Sequence, residues 1–262
     1  MRKFSPRTRV GYPSSTVASV KNWLPGGNQL VYATEVLADS PYFYWRLGDA
    51  SGTTATDSSG NGRNGTYTNT PTLDQSPLIT VDKSIDLNGT DEYVAWTTTA
   101  ALTGNFTMEC WIRPDSFTSY PGLISAWNAN SSGNYGSHFT IDTGGTVEIY
   151  AANSTFTNWS YTDNTGYVLS TGTTYHLVFV NDDTNNTGYL YVNGVLQYTA
   201  SSKTTAMGLW NTGKRMNVGA SALSPLSGAF DGKIDEVAVY TTALSATRIL
   251  QHYNAGALGV QP

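Results

Sequence analysis

Phe106-Thr107-Met108-Glu109-Cys110-Trp111-Ile112-Arg113 is the stretch whose reading decides the fold. In an extended chain Phe106, Met108, Cys110 and Ile112 fall on one side and Thr107, Glu109, Trp111 and Arg113 on the other, the period of two expected of a half-buried strand. Pro114-Asp115 stops the run. The single cysteine, Cys110, lies on the apolar side and reads as a small buried hydrophobe, and a lone cysteine forms no internal disulfide.

Comparable short runs recur at 84–87, 92–96, 122–127, 138–142, 146–151, 175–180, 188–192, 195–198, 215–218 and Asp231–Tyr240. Asn193-Gly194 sits between two of them, as a two-residue hairpin requires when both turn positions need positive φ. Many short strands with few helical patterns predict an all-β antiparallel sandwich or jelly roll. One helix is expected, at the end: Ser245 caps residues 246–253, Leu244 and Ile249 form a hydrophobic staple, and Gly256 is the stop. From Val31 to Tyr240 the chain reads as strands and turns.

A chain of 262 residues suits one large all-β domain with an extension. Only 13% of it is charged, so solubility falls to Thr, Ser, Asn and Gly, the usual cover of an antiparallel sheet with one wet face. His138, His176 and His252 are too far apart in sequence to pair at metal-ligand spacing. No apolar run approaches the ~18 residues of a membrane span, and the N-terminus has no apolar core of a secretory signal, so neither anchor nor export is expected.

Residues 1–30 differ from the rest. Arg2, Lys3, Arg7, Arg9 and Lys21 place five positive charges before the first acid, Glu35, so a chain of net −5 leaves −10 on the remainder. Pro6, Pro13, Pro25 and Gly26-Gly27 make this an extended basic arm, and Phe4, Tyr12 and Trp23 are hydrophobes in need of cover. A leader without fixed structure and an arm that docks on another subunit both satisfy this composition.

Tyr42-Phe43-Tyr44-Trp45 opens an aromatic strand that breaks into an oxygen-rich loop. Asp57, Ser59, Asn61 and Gly62 occupy the first, third, fifth and sixth places of a calcium-loop pattern. The twelfth place is Thr68, without the bidentate Glu of an EF-hand, so that motif is rejected. A looser calcium loop and a plain hydrophilic turn both remain.

Four pieces stand in a telling order: YWRLGDASGTTATDSSGNGRNGTY, SIDLNGTDEYV, NFTMECWIRPDS and DGKIDEVAVYTTALSATRI. Together they resemble the laminin-G-like (concanavalin A-like) jelly-roll family, in the branch found in bacterial surface and tailed-phage virion proteins. The resemblance covers residues 31–258, leaving the arm and a tail at 259–262. It implies a two-sheet antiparallel sandwich with first and last strands adjacent and a structural calcium (Ca2+) at one edge. Asp57 and Asp235 would then be metal ligands, helped by Asn61 and a backbone carbonyl near Gly65. Asp235 is expected on the same strand face as Val237 and Val239, where a bare carboxylate needs a partner: a cation, an arginine or a backbone N–H.

Folds of this kind also carry glycoside hydrolases, which need two carboxylates facing one sugar. Asp91-Glu92 and Asp235-Glu236 are adjacent in sequence and on a regular strand point to opposite faces. No G-x-S-x-G, H-E-x-x-H or Walker sequence occurs. The chain therefore reads as non-enzymatic. Tyr120, Trp127, Trp159 and Tyr161 are candidates for a carbohydrate-binding platform, the chemistry of an adhesion module on a bacterial surface. The reading preferred from sequence is a structural protein of a tailed-phage virion, a head decoration or fibre component assembled in the host cytoplasm. It would dock through Arg2, Lys3, Phe4, Arg7, Arg9, Tyr12, Lys21 and Trp23 on other virion proteins such as the major capsid protein and display its lectin-like domain to host glycans. Membrane and nucleic acid are not expected partners.

Overall fold

The structure is a computed structural model and describes residues 28–79, 82–117, 120–126, 136–155, 159–200, 207–221 and 228–257, with 28–31 and 159–163 described at the backbone only. Its elements are α1 (Asn28–Ala38), β1 (Phe43–Trp45), β2 (Thr54–Ala55), β3 (Gly65–Thr68), β4 (Thr72–Gln75), β5 (Ser84–Asn88), β6 (Tyr93–Thr97), β7 (Leu102–Thr103), β8 (Phe106–Ser116) and β9 (Gly122–Ser125). They continue with β10 (His138–Ile141), β11 (Thr146–Asn153), β12 (Trp159–Val168), β13 (Tyr175–Asp182), β14 (Thr187–Val192), β15 (Val195–Ala200), β16 (Met207–Trp210), β17 (Arg215–Val218), β18 (Asp231–Tyr240) and α2 (Ala246–Ala257).

The first sheet has the order β15-β14-β13-β8-β18-β5-β4, with β1 also paired to β18. The second runs β2-β3-β6-β17-β9-β10-β11-β16-β7, with β12 on β11. First and last strands are adjacent, as expected: Phe43, Tyr44 and Trp45 lie opposite Val239, Ala238 and Val237. Between the sheets Phe106, Met108, Cys110 and Ile112 pack with Phe139, Ile149, Leu177 and Val239. Asn193 and Gly194 have φ of 52° and 75°, the left-handed pair the hairpin demanded. The expected strand at 215–218 is β17. The ten-residue strand β12 went unforeseen, because the Asn, Thr and aromatic residues of Trp159–Val168 gave no clear alternation.

The second face of β8 departs from expectation. Thr107, Glu109 and Trp111 are buried rather than wet, because α1 and α2 lie over this side of the sheet. Tyr32 and Val36 from α1 and Ile249 and Ala255 from α2 join Trp111, Val178, Val180, Ala238 and Tyr240 in a second apolar cluster. Helix α1 was not foreseen; Tyr32 and Val36, four residues apart, form its buried edge. Its first residues, 28–30, were assigned to the arm, while residues 1–27, with all eight expected docking residues, lie outside the described residues.

Ser245 caps α2, its hydroxyl accepting from the Arg248 N–H at 3.3 Å. The helix does not stop before Gly256 but runs through it to Ala257. A Cβ on Gly256 would stand 2.5 Å from Cζ2 of Trp111, so glycine here permits the helix to close onto the indole.

A bulge interrupts the pairing of β18 with β8 between Asp235 and Ala238, and Glu236 takes φ of 52°. The bulge switches faces. Asp235 lies opposite Trp111 of the helix-side cluster, whereas Val237 and Val239 face the inter-sheet core. The expected common face of Asp235, Val237 and Val239 is therefore corrected.

Candidate functional site

The face of the second sheet turned away from the core carries a polar row across four strands. Gly122, Thr140, Glu148 and Asn164 stand in register on β9, β10, β11 and β12. Val147, Ile149 and Ala151, the alternate residues of β11, point into the core, which leaves Glu148 and Tyr150 on this outer face. The Glu148 carboxylate accepts the Tyr150 hydroxyl at 2.9 Å and the Asn164 amide at 3.2 Å. Burial pushes the Tyr150 pKa up to about 12, with Glu148, Tyr120 and Asp142 adding to the rise. Asp142 fixes the turn between β10 and β11, accepting the N–H groups of Gly144 and Thr146 at 2.8 and 2.7 Å.

Tyr120 is 49% exposed and Asn164 is exposed, Tyr150 is half-buried, and Glu148 is buried with 8% of its surface exposed. An exposed aromatic ring near a carboxylate and an amide can stack on a sugar ring while they take its hydroxyl protons. Of the four aromatics expected here, Tyr120 is exposed and acts through space on the Tyr150 hydroxyl. Trp159 and Tyr161 lie on β12, their backbones opposite Ala152 and Ala151, and Trp127 lies outside the described residues. The sequence reading missed Glu148, Tyr150 and Asn164. The alternation of 146–151, already recognised as a strand, would have placed the first two on the wet face.

Next to this group the Ser125 hydroxyl and His138 Nδ1 are 2.8 Å apart. The spacing suits a nucleophile and its base, but burial drives the His138 pKa down to about 3 and both residues are at most 1% exposed. An imidazole so poor at holding a proton is a weak general base.

The residues expected to hold calcium each have protein partners of their own. Asp57 bridges β1 at Trp45, and its Oδ1 accepts the N–H groups of Tyr44 and Ser59 at 3.0 Å while Oδ2 accepts that of Arg63 at 2.8 Å. Burial alone would raise the Asp57 pKa; these hydrogen bonds outweigh it and lower it. Asn61 donates its amide to the carbonyls of Pro41 and Tyr42, and the Arg63 guanidinium lies 3.7 Å over the Tyr42 ring. Gly65 opens β3 where a Cβ would meet Val94 and Trp45. Asp235 has other company: its Oδ2 accepts the Leu78 N–H at 3.2 Å, with Glu236, Asp82 and Arg46 nearby. Its Oδ1 is buried without a hydrogen-bond partner. Among the described residues no three His, Cys, Asp or Glu side chains are grouped to hold a metal. For a cation on the Asp57 loop alone, thermal melts in calcium and in excess chelator are the check. With the Asp57 oxygens already taken by backbone N–H groups, the expected result is the same Tm in both.

Under the helices, Glu109 is fully buried and accepts four donors: Tyr32 Oη at 3.0 Å, His176 Nε2 at 2.7 Å, Tyr240 Oη at 2.7 Å and His252 Nδ1 at 3.0 Å. His252 Nε2 continues to Asp39 at 2.9 Å, and Arg248 joins Asp39 and Glu35. The chain of contacts fastens both helices to β8.

Residues 88–250 match the family described as the concanavalin A-like lectin/glucanases superfamily, Laminin_G_3. No curated protein matches the chain. Among solved structures, domain 4 of AbnA, an extracellular arabinanase from Geobacillus stearothermophilus in complex with arabinotriose, is similar with a TM-score of 0.58 and 19% identity, over 82% of this chain and 98% of that one. The binding domain of Paraclostridial Mosquitocidal Protein 1 is similar at 0.63 and 18% identity, over 84% of this chain and 53% of that one. The ligand-binding domain of botulinum neurotoxin serotype D in complex with N-acetylneuraminic acid is similar at 0.61 and 16%, over 87% and 53%. The chain thus spans about half the length of these two toxin domains. At such identities the likeness is one of fold.

Proposed function

The chain belongs to the Laminin_G_3 family of the concanavalin A-like lectin/glucanases superfamily, and from that membership we propose that it is a non-catalytic glycan-binding module. The observation that carries this reading is the Glu148–Tyr150–Asn164 cluster on the outer face of the second sheet, with the exposed Tyr120 near enough to act on the Tyr150 hydroxyl through space. The binding domains among similar folds support it, one of them in complex with arabinotriose and another with N-acetylneuraminic acid. The non-catalytic part of the reading is supported by burial: the raised carboxyl of Glu236 and the Ser125–His138 pair are each at most 1% exposed. Glycan-array binding by the full chain tests the reading. Glu148→Ala should lower affinity by about tenfold or more and Tyr120→Ala by several-fold, since a charge-assisted hydrogen bond contributes about 1.5–3 kcal/mol and a stacked ring about 0.5–1.5 kcal/mol. Wild-type affinity in both variants would remove this site from the proposal.

The finer reading places the module on a tailed-phage virion, held by the basic arm on virion proteins such as the major capsid protein. It is supported by the charge contrast between the first 30 residues and the rest. Removing residues 1–27 should abolish incorporation into particles while the remaining chain melts as before, because α1 and its contacts are retained. Particles that take up the truncated protein at the normal level would rule out arm docking.

A further inference from the structure

We propose that α1 is a releasable strap, hinged at Ser40 and latched by His252 as an imidazolium, and that proton loss from this one ring lets α1 lift from the first sheet while the sandwich stays folded. The geometry fixes the charge of the ring. His252 Nδ1 lies 3.0 Å from a Glu109 oxygen, and Nε2 lies 2.9 Å from an Asp39 oxygen. A neutral imidazole has one N–H and one acceptor nitrogen, so only the doubly protonated ring donates to both carboxylates. The ring is fully buried and joins β8 to the turn that follows α1.

Around it stand Tyr32 and Glu35 from α1, Asp39 from the turn, Glu109 from β8, His176 from β13, Tyr240 from β18 and Arg248 from α2 itself. Arg248 and His252, four residues apart on α2, grip Glu35 and Asp39, which are spaced alike. Arg248 keeps its charge at any pH the fold survives, whereas His252 titrates near neutrality. When the proton leaves, the remaining N–H stays with Glu109, because that carboxylate is enclosed while the Asp39 side chain is 17% exposed and can turn to water. Nε2 then turns a lone pair toward Asp39, open instead to the Arg248 guanidinium 3.4 Å away. One of the two cationic holds is thereby lost.

The connection to β1 can absorb the movement. Ser40 has φ of 53°, and the chain is next fixed where the Tyr42 N–H donates to the Val239 carbonyl at 2.6 Å. Lifting α1 takes Tyr32 and Val36 from the helix-side cluster and nothing from the inter-sheet core, which contains no α1 residue among those described. Residues 1–27 precede α1 in sequence, so the strap carries the basic arm with it.

Burial works against the His252 proton, but Glu109 and Asp39 outweigh it and raise the pKa. The strap is therefore shut below the unfolded value of ~6.5 and opens as pH climbs through the folded one. The test is amide hydrogen exchange of the full chain at pH 6, 7.5 and 9, read as protection factors for wild type and His252→Gln. Expected in the wild type is a fall of about tenfold or more in α1 protection from pH 6 to 9, the scale of one charge-assisted hydrogen bond, with β8 and β13 far better protected throughout. His252→Gln, uncharged at every pH, should show the loosened α1 already at pH 6 and no further step. Glu236 titrates at about 8 but is common to both proteins, so their difference isolates His252. If the variant does not fold, nitrogen NMR of the wild-type histidine rings decides: His252 must carry both protons at pH 6 and lose one as α1 loosens. Unchanged α1 protection, or α1 and β8 losing protection together, would overturn the strap. A neutral His252 ring at pH 6, or the wild-type pH response surviving in His252→Gln, would overturn the latch.

Discussion

Glu109→Ala lowers the unfolding free energy by about 3–5 kcal/mol in urea titrations at pH 7, the loss expected when one partner of a buried charged network is removed. The variant strands Tyr32, His176, Tyr240 and His252, all of which donate to this one carboxylate. It also frees both helices, since α1 reaches Glu109 through Tyr32 and α2 through His252. A loss below 1 kcal/mol would mean that apolar packing alone holds the helices. The same network sets a pH window. Burial works against the charge on Glu109, but His252 and His176 outweigh it and hold its pKa well below the usual range. Its contribution is present above the unfolded carboxylate value of ~4.3 and is lost on acidification below it. For His252, burial opposes the proton while Glu109 and Asp39 outweigh burial and raise its pKa. Its contribution is complete below the unfolded value of ~6.5 and fades as pH rises through the folded one.

Glu236→Gln should stabilise the protein in alkaline solution and change little at pH 4. Burial pushes the Glu236 carboxyl up to about 8, with Arg46 and the Tyr44 hydroxyl pulling only partly against it. Its neighbour Asp235 is raised as well, by burial first and by Glu236 second. A carboxyl raised on folding takes up a proton in the folded state, so stability falls as pH rises from ~4.3 to about 8, by at most about 1.4 kcal/mol per pH unit for each such group. The glutamine is neutral throughout, keeps an acceptor for the Tyr44 hydroxyl and removes the repulsion on Asp235. Parallel denaturation of wild type and variant at pH 4, 6 and 8 checks this, with curves that diverge as pH rises as the expected result. Curves of equal slope would show that Glu236 stays ionised beside Arg46 and Asp82, which already form an ion pair.

Much of the fold was legible in side-chain alternation. Phe106, Met108, Cys110 and Ile112 reach the inter-sheet core because the strand period is two and an apolar side seeks cover, and Asn193-Gly194 turns the chain because both positions need positive φ. Less of the candidate site was legible. Tyr120 was identified as a candidate for a sugar platform, but Glu148, Tyr150 and Asn164 come from two strands, one of them unforeseen, and their meeting depends on the register of β11 with β12. Asp57 and Asp235 were paired by family resemblance. The bulge at Glu236 sent Asp235 toward the helices, a change of face that depends on one residue with positive φ and leaves no mark in an apolar pattern.

Sequence by itself determined the sandwich and, by resemblance, the adjacency of first and last strands. The sandwich follows from period and turn chemistry, both of them local. Only the tertiary structure decided that the polar side of β8 is buried. Thr107, Glu109 and Trp111 look fit for water in sequence, and they are covered because α1 and α2, from opposite ends of the chain, close over them. Whether a carboxylate such as Glu109 is solvated or enclosed depends on what packs above it and which donors arrive with that cover, and those donors, Tyr32, His176, Tyr240 and His252, come from four separate elements.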